Sequence, residues 1–352
     1  MKAVYLDHCT SAFPKAPGVG EAMARTILRP GRAEGSPAAV GEKLLKLAHA
    51  PAGSVLRFTP GADWGLGWLL SALLRPGDRV LASPMERGSV LRALEGCPGV
   101  TVELMPCTRQ GELILDGLEE KLTPDVKAVV LTHASHVSGD LFPMAAVGAL
   151  CRARDICFLA DGAQTFGVLP VDMAGWGVDG LVFPGHTGLL GPEGMGGLAL
   201  SPRLAALLPP FPDDSLNLPG IAGLGAALDY LAEEGERLTV RLGRLSRHLW
   251  ARMKELDGEG LRVLGRGTPH DRAGLVSVEF TARPNGEMAR LLAERYGIRC
   301  AWGDAGCPSG LPHPGLLRAG CGALFRQPFH HLRGDRLAGR GGGGPAVRFR
   351  NQ

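Results

Sequence analysis

The chain of 352 residues lacks the features that mark membrane, secreted and nucleic-acid-binding proteins. No apolar run reaches the length that a bilayer-spanning helix needs, and acidic and polar residues come too early in MKAVYLDHCTSAFPK for a secretory signal. The formal net charge is only +3, so the chain has no strong field for a polyanion. We therefore expect a cytoplasmic protein that binds neither membranes nor nucleic acid.

Disulfide and metal-site patterns are also lacking. The eight cysteines are scattered without a repeating CxxC pair, which favours reduced thiols over a disulfide framework. Cys300, Cys307, His313 and Cys321 lie near one another in the sequence, but their spacings match no short-loop metal site. The sequence therefore predicts no bound metal.

The chain does contain the alternation of strands and helices that is typical of an α/β fold. Hydrophobic residues make up 45% and charged residues 21%, which is enough apolar material for a large core. Strands are predicted at residues 128–132, 156–160 and 181–183. Residues 144–155, between the first two, have helical spacing with Val147 and Leu150 on one side. This βαβ pattern predicts a mainly parallel sheet flanked by helices.

The second half of the chain predicts a smaller unit. Residues 221–255 have the pattern of helices interrupted near Glu234-Gly235, residues 274–280 alternate like a strand, and residues 286–297 resemble a helix. The expected organisation is a large α/β domain over residues 1–240, a small, incomplete C-terminal α+β domain over 241–298, and a disordered Gly/Pro/Arg-rich tail over 299–352.

Polar residues follow each predicted strand, where open α/β folds bind their ligands. Residues 133–138 follow the first strand, residues 161–164 the second, and His186 with Thr187 the third. A single polar residue after a strand is more often a cap or a turn residue than a catalyst. Several together predict a site at the carboxyl edge of the sheet.

Seven blocks of the sequence, in family order, resemble those of cysteine desulfurases and other class V aminotransferases. They are LDHCTSAFPK, FTPGADWGLG, SPMERGSVLRAL, LTHASHVSGDLFPM, LADGAQTFGVLPVDM, FPGHTGLLGPEGMGGLAL and PGIAGLGAALDYL. The resemblance implies the aspartate-aminotransferase fold of pyridoxal-phosphate enzymes (fold type I), a homodimer, and pyridoxal 5'-phosphate as cofactor. It also implies an amino acid substrate, cysteine or selenocysteine before others.

The resemblance assigns cofactor contacts to two residues, but a third position lacks the family's lysine. Asp161 matches the family's acid against the pyridine nitrogen, and Gln164 matches its glutamine toward the phenolic oxygen. Thr187, after His186, stands where the family carries the lysine that forms a Schiff base with the cofactor. A hydroxyl cannot form that bond, so covalent cofactor binding is not expected.

Other positions also depart from the family's pattern. Asp63 follows Ala62 where the phosphate-binding block has a hydroxyl residue, and its carboxylate would repel phosphate while serving as a helix cap. Arg87 replaces the ring-stacking histidine, and His136 replaces an asparagine near the ring. The opening LDNAAT pattern has become DHCTS at residues 7–11. Ala62, Asp63 and His136 nevertheless stay candidates for contact with the cofactor.

The tail suggests a change of reading frame. Codons permitted for residues 327–345, read one nucleotide later, can encode SPFTTSEEIDWLAEAVAAL, an amphipathic helix behind a capping box that resembles the family's C-terminal block. Our hypothesis is a frameshift at about Ile298 or Arg299, in the gene or in its reported sequence. In the restored frame, Gly306 followed by Cys307 excludes a cysteine at the family's sulfur-accepting position.

Three functions are compatible with these residues. The first is a catalytically impaired homologue that keeps the scaffold without the Schiff-base lysine. The second is an active cysteine desulfurase or selenocysteine lyase, with a faulty reported sequence or with His186 as general base. The third is a decaying gene product without a stable role.

Overall fold

A computed structural model describes residues 4–8, 10–29, 36–108, 110–212, 216–266 and 272–302, and the backbone of two short strands further on. Most of the predicted tail, on which the frameshift hypothesis is based, therefore lies outside the described residues. The strands are β1 (Val4–Tyr5), β2 (Val55–Thr59), β3 (Arg79–Ala82), β4 (Thr101–Leu104), β5 (Val126–Thr132), β6 (Cys157–Asp161), β7 (Gly180–Pro184), β8 (Gly196–Leu200), β9 (Leu261–Val263), β10 (Ser277–Phe280), β11 (Ile298–Arg299), β12 (Gly322–Ala323) and β13 (Arg348–Phe349). The helices are α1 (Val19–Leu28), α2 (Pro37–Leu47), α3 (Ala62–Leu73), α4 (Gly88–Glu95), α5 (Leu115–Lys121), α6 (Met144–Ala153), α7 (Met173–Trp176), α8 (Pro202–Leu207), α9 (Leu218–Glu255) and α10 (Asn285–Tyr296).

An eight-stranded sheet lies at the centre, in the order β13-β4-β3-β5-β6-β7-β8-β2. The strands from β13 to β7 run parallel to their neighbours, whereas β8 is antiparallel to both β7 and β2. The sequences VKAVVLT and CFLAD of β5 and β6 are almost continuously apolar because both faces of a parallel sheet are buried. The predicted mainly parallel α/β fold and its three strands are confirmed.

Two clusters of buried apolar residues cover the two faces of the sheet. Within β5, Val129 and Leu131 belong to one cluster, while Ala128 and Val130 belong to the other, as the two-residue period of a strand requires. The first cluster adds side chains from α2, α6 and α9, and the second adds side chains from α3, α4 and α8. Helices thus cover both faces and leave the carboxyl edge of the sheet for a site.

Helix α9 corrects the predicted interruption near Glu234-Gly235. It is one continuous helix of 38 residues, and its first half buries apolar residues against the sheet and α1. A glycine costs a helix only about 1 kcal/mol relative to alanine, which tertiary packing outweighs. The predicted domain boundary at residue 240 falls inside this helix. Across the described residues, no helix is long and apolar enough to cross a membrane.

The N-terminal strand lies against the end of the described C-terminal part. In the parallel pairing of β1 with β11, Val4 faces Ile298 and Tyr5 faces Arg299. A second small sheet has the order β12-β10-β9 with antiparallel pairing. The α+β character expected after α9 is therefore present, and the division into 1–240 and 241–298 stays a prediction.

A buried ion pair ties the segment before β10 to the loop after β5. Nη1 of Arg272, which is 6% exposed, donates to Oδ1 of Asp140 at 2.8 Å, and Nη2 donates to the carbonyl of Ser138. The other carboxylate oxygen of Asp140 accepts from the hydroxyl of Ser138 at 2.7 Å and from the backbone N–H of Arg266 at 3.0 Å. Because every charged group is paired, the cluster fixes this loop relative to the C-terminal part.

Replacement of Arg272 tests this connection. Arg272→Met removes the buried partner of the Asp140 carboxylate and leaves only the more distant Arg266, at 3.9 Å, as a counter-charge. We therefore expect the free energy of unfolding to fall by about 3 kcal/mol. Arg283→Met, which breaks an exposed pair with Glu287, should change it by less than about 1 kcal/mol. Urea unfolding of both variants makes the comparison. Similar small losses would show that the buried pair does not hold the two parts together.

Candidate active site

The carboxyl ends of β5, β6 and β7 meet at one edge of the sheet, where Asp161 is in register with Thr132 on one side and Val182 on the other. A cavity of about 450 Å³ lies at this edge, beside the N-terminus of α3. Its lining comes from segments far apart in the sequence: Thr10, Pro60, Gly61, Ala62, Asp63, Trp64, Arg87, Ala163, Gln164, Pro184, His186 and Thr187. The fold thus assembles a polar pocket where open α/β sheets bind ligands.

Most of the residues predicted at the site meet in this cavity. Those that line it are Ala62, Asp63, Gln164, His186 and Thr187. Asp161 and His136 are fully buried and are not among the lining residues. Arg87 lines the cavity and also contacts the buried Asp161 through its Nε.

Arg87 bridges two carboxylates. Its Nε donates to Oδ2 of Asp161 at 2.7 Å, and its Nη1 donates to Oδ1 of Asp63 at 2.7 Å. The Asp161 side chain is 0% exposed, and its Oδ1 accepts the backbone N–H of Ala163 at 2.8 Å. Burial alone would lower the pKa of Arg87, but Asp161 and Asp63 outweigh it and raise that pKa above its ordinary value. Both oxygens of Asp161 therefore have partners within the chain.

Asp63 does not cap α3, contrary to the prediction. The residue before the helix is Gly61, which provides no side-chain cap, and Asp63 is the second helical residue. Its carboxylate turns to Arg87 instead, because a nearby full positive charge attracts it more strongly than the helix N-terminus does. Burial would raise the pKa of Asp63, but the charge of Arg87 lowers it below its ordinary value.

Glu86 lies beside this ion-pair network and is also buried. It is 1% exposed, its Oε1 accepts the backbone N–H of Thr132 at 2.6 Å, and its Oε2 has no hydrogen-bond partner within the described part of the chain. Burial, followed by the negative charge of Asp161, raises the pKa of Glu86 well above its ordinary value. The protonated acid is thus the favoured form. Glu86 belongs to the SPMERGSVLRAL block, but its raised pKa depends on burial and on a neighbouring charge that only the fold brings together.

Thr187 and His186 lie on the wall formed by the segment after β7. The hydroxyl of Thr187 is buried and donates to the carbonyl of Ala163 at 3.1 Å. His186 is partly buried, and its Nδ1 has no hydrogen-bond partner among the described residues. Burial, followed by the charge of Lys15, lowers the pKa of His186. The imidazole is therefore predominantly neutral at neutral pH.

Lys15 is an amine near this wall that the motif comparison missed. Its Nζ donates to the carbonyl of His186 at 3.1 Å and to the hydroxyl of Ser11 at 2.8 Å, and this hydroxyl donates to Glu193 at 2.6 Å. Burial lowers the pKa of Lys15, and Glu193 opposes that effect. Lys15 is not among the residues that line the cavity, because it lies on the backbone side of His186.

The loop after β5 holds two buried histidines. Nδ1 of His133 lies 2.8 Å from the hydroxyl of Thr165, and burial lowers the pKa of His133 to about 4. His136 is 1% exposed, and the backbone around it is fixed by the Ser135 hydroxyl, which accepts the N–H groups of Val137 and Ser138. His133 therefore stays neutral, and the Ser135 hydroxyl holds the backbone of this loop.

The arrangement does not fit pyridoxal phosphate as the resemblance implies it. The acid expected at the pyridine nitrogen is paired with Arg87, and the lysine position offers a hydroxyl that is bonded to the backbone. The first turn of α3, expected to hold the phosphate, carries the Asp63 carboxylate. The pyridine nitrogen would have to compete with Arg87 for Asp161, and the phosphate would meet the carboxylate of Asp63.

A glutamine in place of Glu86 tests its protonation state. The folded-state pKa of Glu86 is above its ordinary value of 4.5, so its contribution to stability is present below that value and is lost as the pH rises through the folded-state pKa. Glu86→Gln should therefore gain stability relative to the unaltered protein between about pH 5 and about pH 8. Urea unfolding at both pH values measures the gain. A stability difference that is the same at both would contradict a raised pKa.

The sequence matches one protein-family model, and it is similar to many curated proteins and solved structures. The model described as "Aminotransferase class-V" matches residues 38–215, just over half of the 352 residues. A probable cysteine desulfurase of Halalkalibacterium halodurans is 25% identical over 297 residues, which cover 74% of this chain and 72% of that relative.

Solved structures agree on the fold. The apo structure of cysteine desulfurase from Thermococcus onnurineus NA1 superposes with a TM-score of 0.76 at 22% identity, covering 87% of this chain and 85% of that one. A C-DES mutant described as having glycine covalently linked to its PLP cofactor gives a TM-score of 0.74 at 21% identity, covering 86% and 89%. The fold type I architecture is therefore confirmed. The chain belongs to the class-V aminotransferase family, whose cofactor is pyridoxal phosphate.

Proposed function

We propose that this chain is a cysteine-desulfurase-like member of the family that has lost the cofactor-dependent reaction. The main support for this proposal is Thr187, whose buried hydroxyl lies at the lysine position and donates to the carbonyl of Ala163. The Schiff base requires a nucleophilic amine, and a hydroxyl provides neither that bond nor the proton transfers that follow it. The scaffold is thus kept without its reactive group.

Lys15 does not replace the missing amine. Its Nζ is engaged by the Ser11 hydroxyl and the His186 carbonyl, and it lies outside the cavity lining. His186, the alternative general base, does line the cavity and has the lowered pKa of a neutral imidazole. A base can move a proton, but it cannot supply the covalent bond to the cofactor. These contacts favour the impaired homologue over an active enzyme with a substitute base.

The continuous core supports a folded protein over a decaying gene product. Apolar clusters cover both faces of the central sheet, and the buried polar groups Asp140 and Asp161 have partners. A scaffold of this kind would act by binding, and the likeness to cysteine desulfurases makes cysteine the amino acid to test and a homodimer the expected assembly.

Borohydride trapping with pyridoxal phosphate tests the loss of covalent chemistry. The unaltered protein and Thr187→Ala should give the same low adduct level by mass spectrometry, because neither has an amine at this position. Neither protein should release sulfide from cysteine. Sulfide release by the unaltered protein, or an adduct that disappears in a Lys15→Met variant, would overturn the proposal.

A further inference from the structure

We propose that Arg87 is a built-in replacement for the cofactor: its guanidinium group neutralises Asp161 and occupies the approach to it, so that lysine at position 187 alone would not restore cofactor binding. The inference rests on the proposed function, because it concerns what stabilises the pocket of a chain without the Schiff-base lysine. It concerns residues other than Thr187 and is tested separately.

The first step is the electrostatic requirement of Asp161. A carboxylate with no exposure to water needs a positive partner in the protein, since leaving it unpaired carries a large desolvation penalty. Arg87 supplies this partner at 2.7 Å, and its own side chain is only 16% exposed. The two buried charges therefore stabilise each other without any bound group.

The second step is that a pyridine ring and the guanidinium group compete for one place. Oδ1 of Asp161 is already bonded to the N–H of Ala163, and Oδ2 faces Arg87. Arg87 lines the cavity and Asp161 does not, and Nε of Arg87 already donates to Oδ2, so a ring nitrogen that binds this oxygen would have to displace it. Displaced Arg87 would remain charged, because an arginine does not lose its proton in proteins. Ring binding would therefore break an ion pair before making one.

The third step is the contact with Asp63. Its carboxylate holds Nη1 of Arg87 at 2.7 Å from the first turn of α3, where it also places a negative charge at the positive end of the helix. Asp63 thus fixes the guanidinium group over Asp161 and at the same time disfavours a phosphate at α3. Two departures from the family's pattern, 24 residues apart in the sequence, are one structural unit.

Two variants separate this inference from the loss of lysine. One is Thr187→Lys alone. The other, the triple variant, combines Thr187→Lys with Arg87→His and Asp63→Thr, which supply a ring-stacking imidazole and a hydroxyl. Pyridoxal phosphate is added, and its dissociation constant is measured from the change in absorbance. Borohydride trapping and peptide mapping then locate the bound group.

We expect the triple variant to bind at least about tenfold more tightly than Thr187→Lys, a difference of about 1.4 kcal/mol. Its adduct should map to position 187. Equal, tight binding by both variants would overturn the role of Arg87 while leaving the proposed function intact. Sulfide release by the unaltered protein would instead overturn the proposed function.

A double-mutant cycle keeps the inference testable if the triple variant does not fold. Arg87→Met leaves the carboxylate of Asp161 unpaired, whereas Asp161→Asn with Arg87→Met removes both charges. We expect Arg87→Met to raise the unfolding equilibrium constant at least about tenfold, and the second change to reverse most of that increase. Independent, additive effects of the two substitutions would show that Arg87 is not the counter-ion of Asp161, and the inference would fail.

Discussion

The site is organised around one buried charge, the Asp161 carboxylate at the end of β6. The parallel sheet places it there, because Asp161 is the last residue of a strand held between β5 and β7, with no side-chain exposure. A charge in that position needs a partner in the folded protein, because water does not reach it. In this chain the partner is Arg87, which also pairs with Asp63, and the charge of Asp161 adds to burial in raising the pKa of Glu86.

Three carboxyl groups lie near the Arg87 guanidinium group, and two of them contact it. Asp161 and Asp63 each contact the guanidinium group directly, and the pKa of Asp63 is lowered by it. Glu86 faces the negative charge of Asp161 in a fully buried position, so its pKa is raised and the neutral acid is favoured. The environment thus moves the pKa values of Asp63 and Glu86 in opposite directions, down beside the guanidinium group and up in the buried position.

The sequence predicted those parts of the fold that depend on local pattern or on contiguous blocks. The strands of the βαβ unit have continuous apolar runs, and the polar residues after them meet at one edge because parallel strands share their direction. The interruption predicted in α9 was wrong, since a glycine signal is local and the packing that overrides it is not. The contact of Arg87 with Asp161 spans 74 residues and was not predictable from either residue alone.

The pairing also changes how the departures from the family's pattern are interpreted. Taken singly, Arg87 and Asp63 are two departures from the family's cofactor site. Together they satisfy the buried acid and the first turn of α3 by the chain's own charges. Once that network exists, the pocket no longer depends on a bound group for its stability, and an amine at position 187 would have no ring in position to react with. Loss of the lysine and gain of the ion pair are therefore mutually reinforcing, whichever came first.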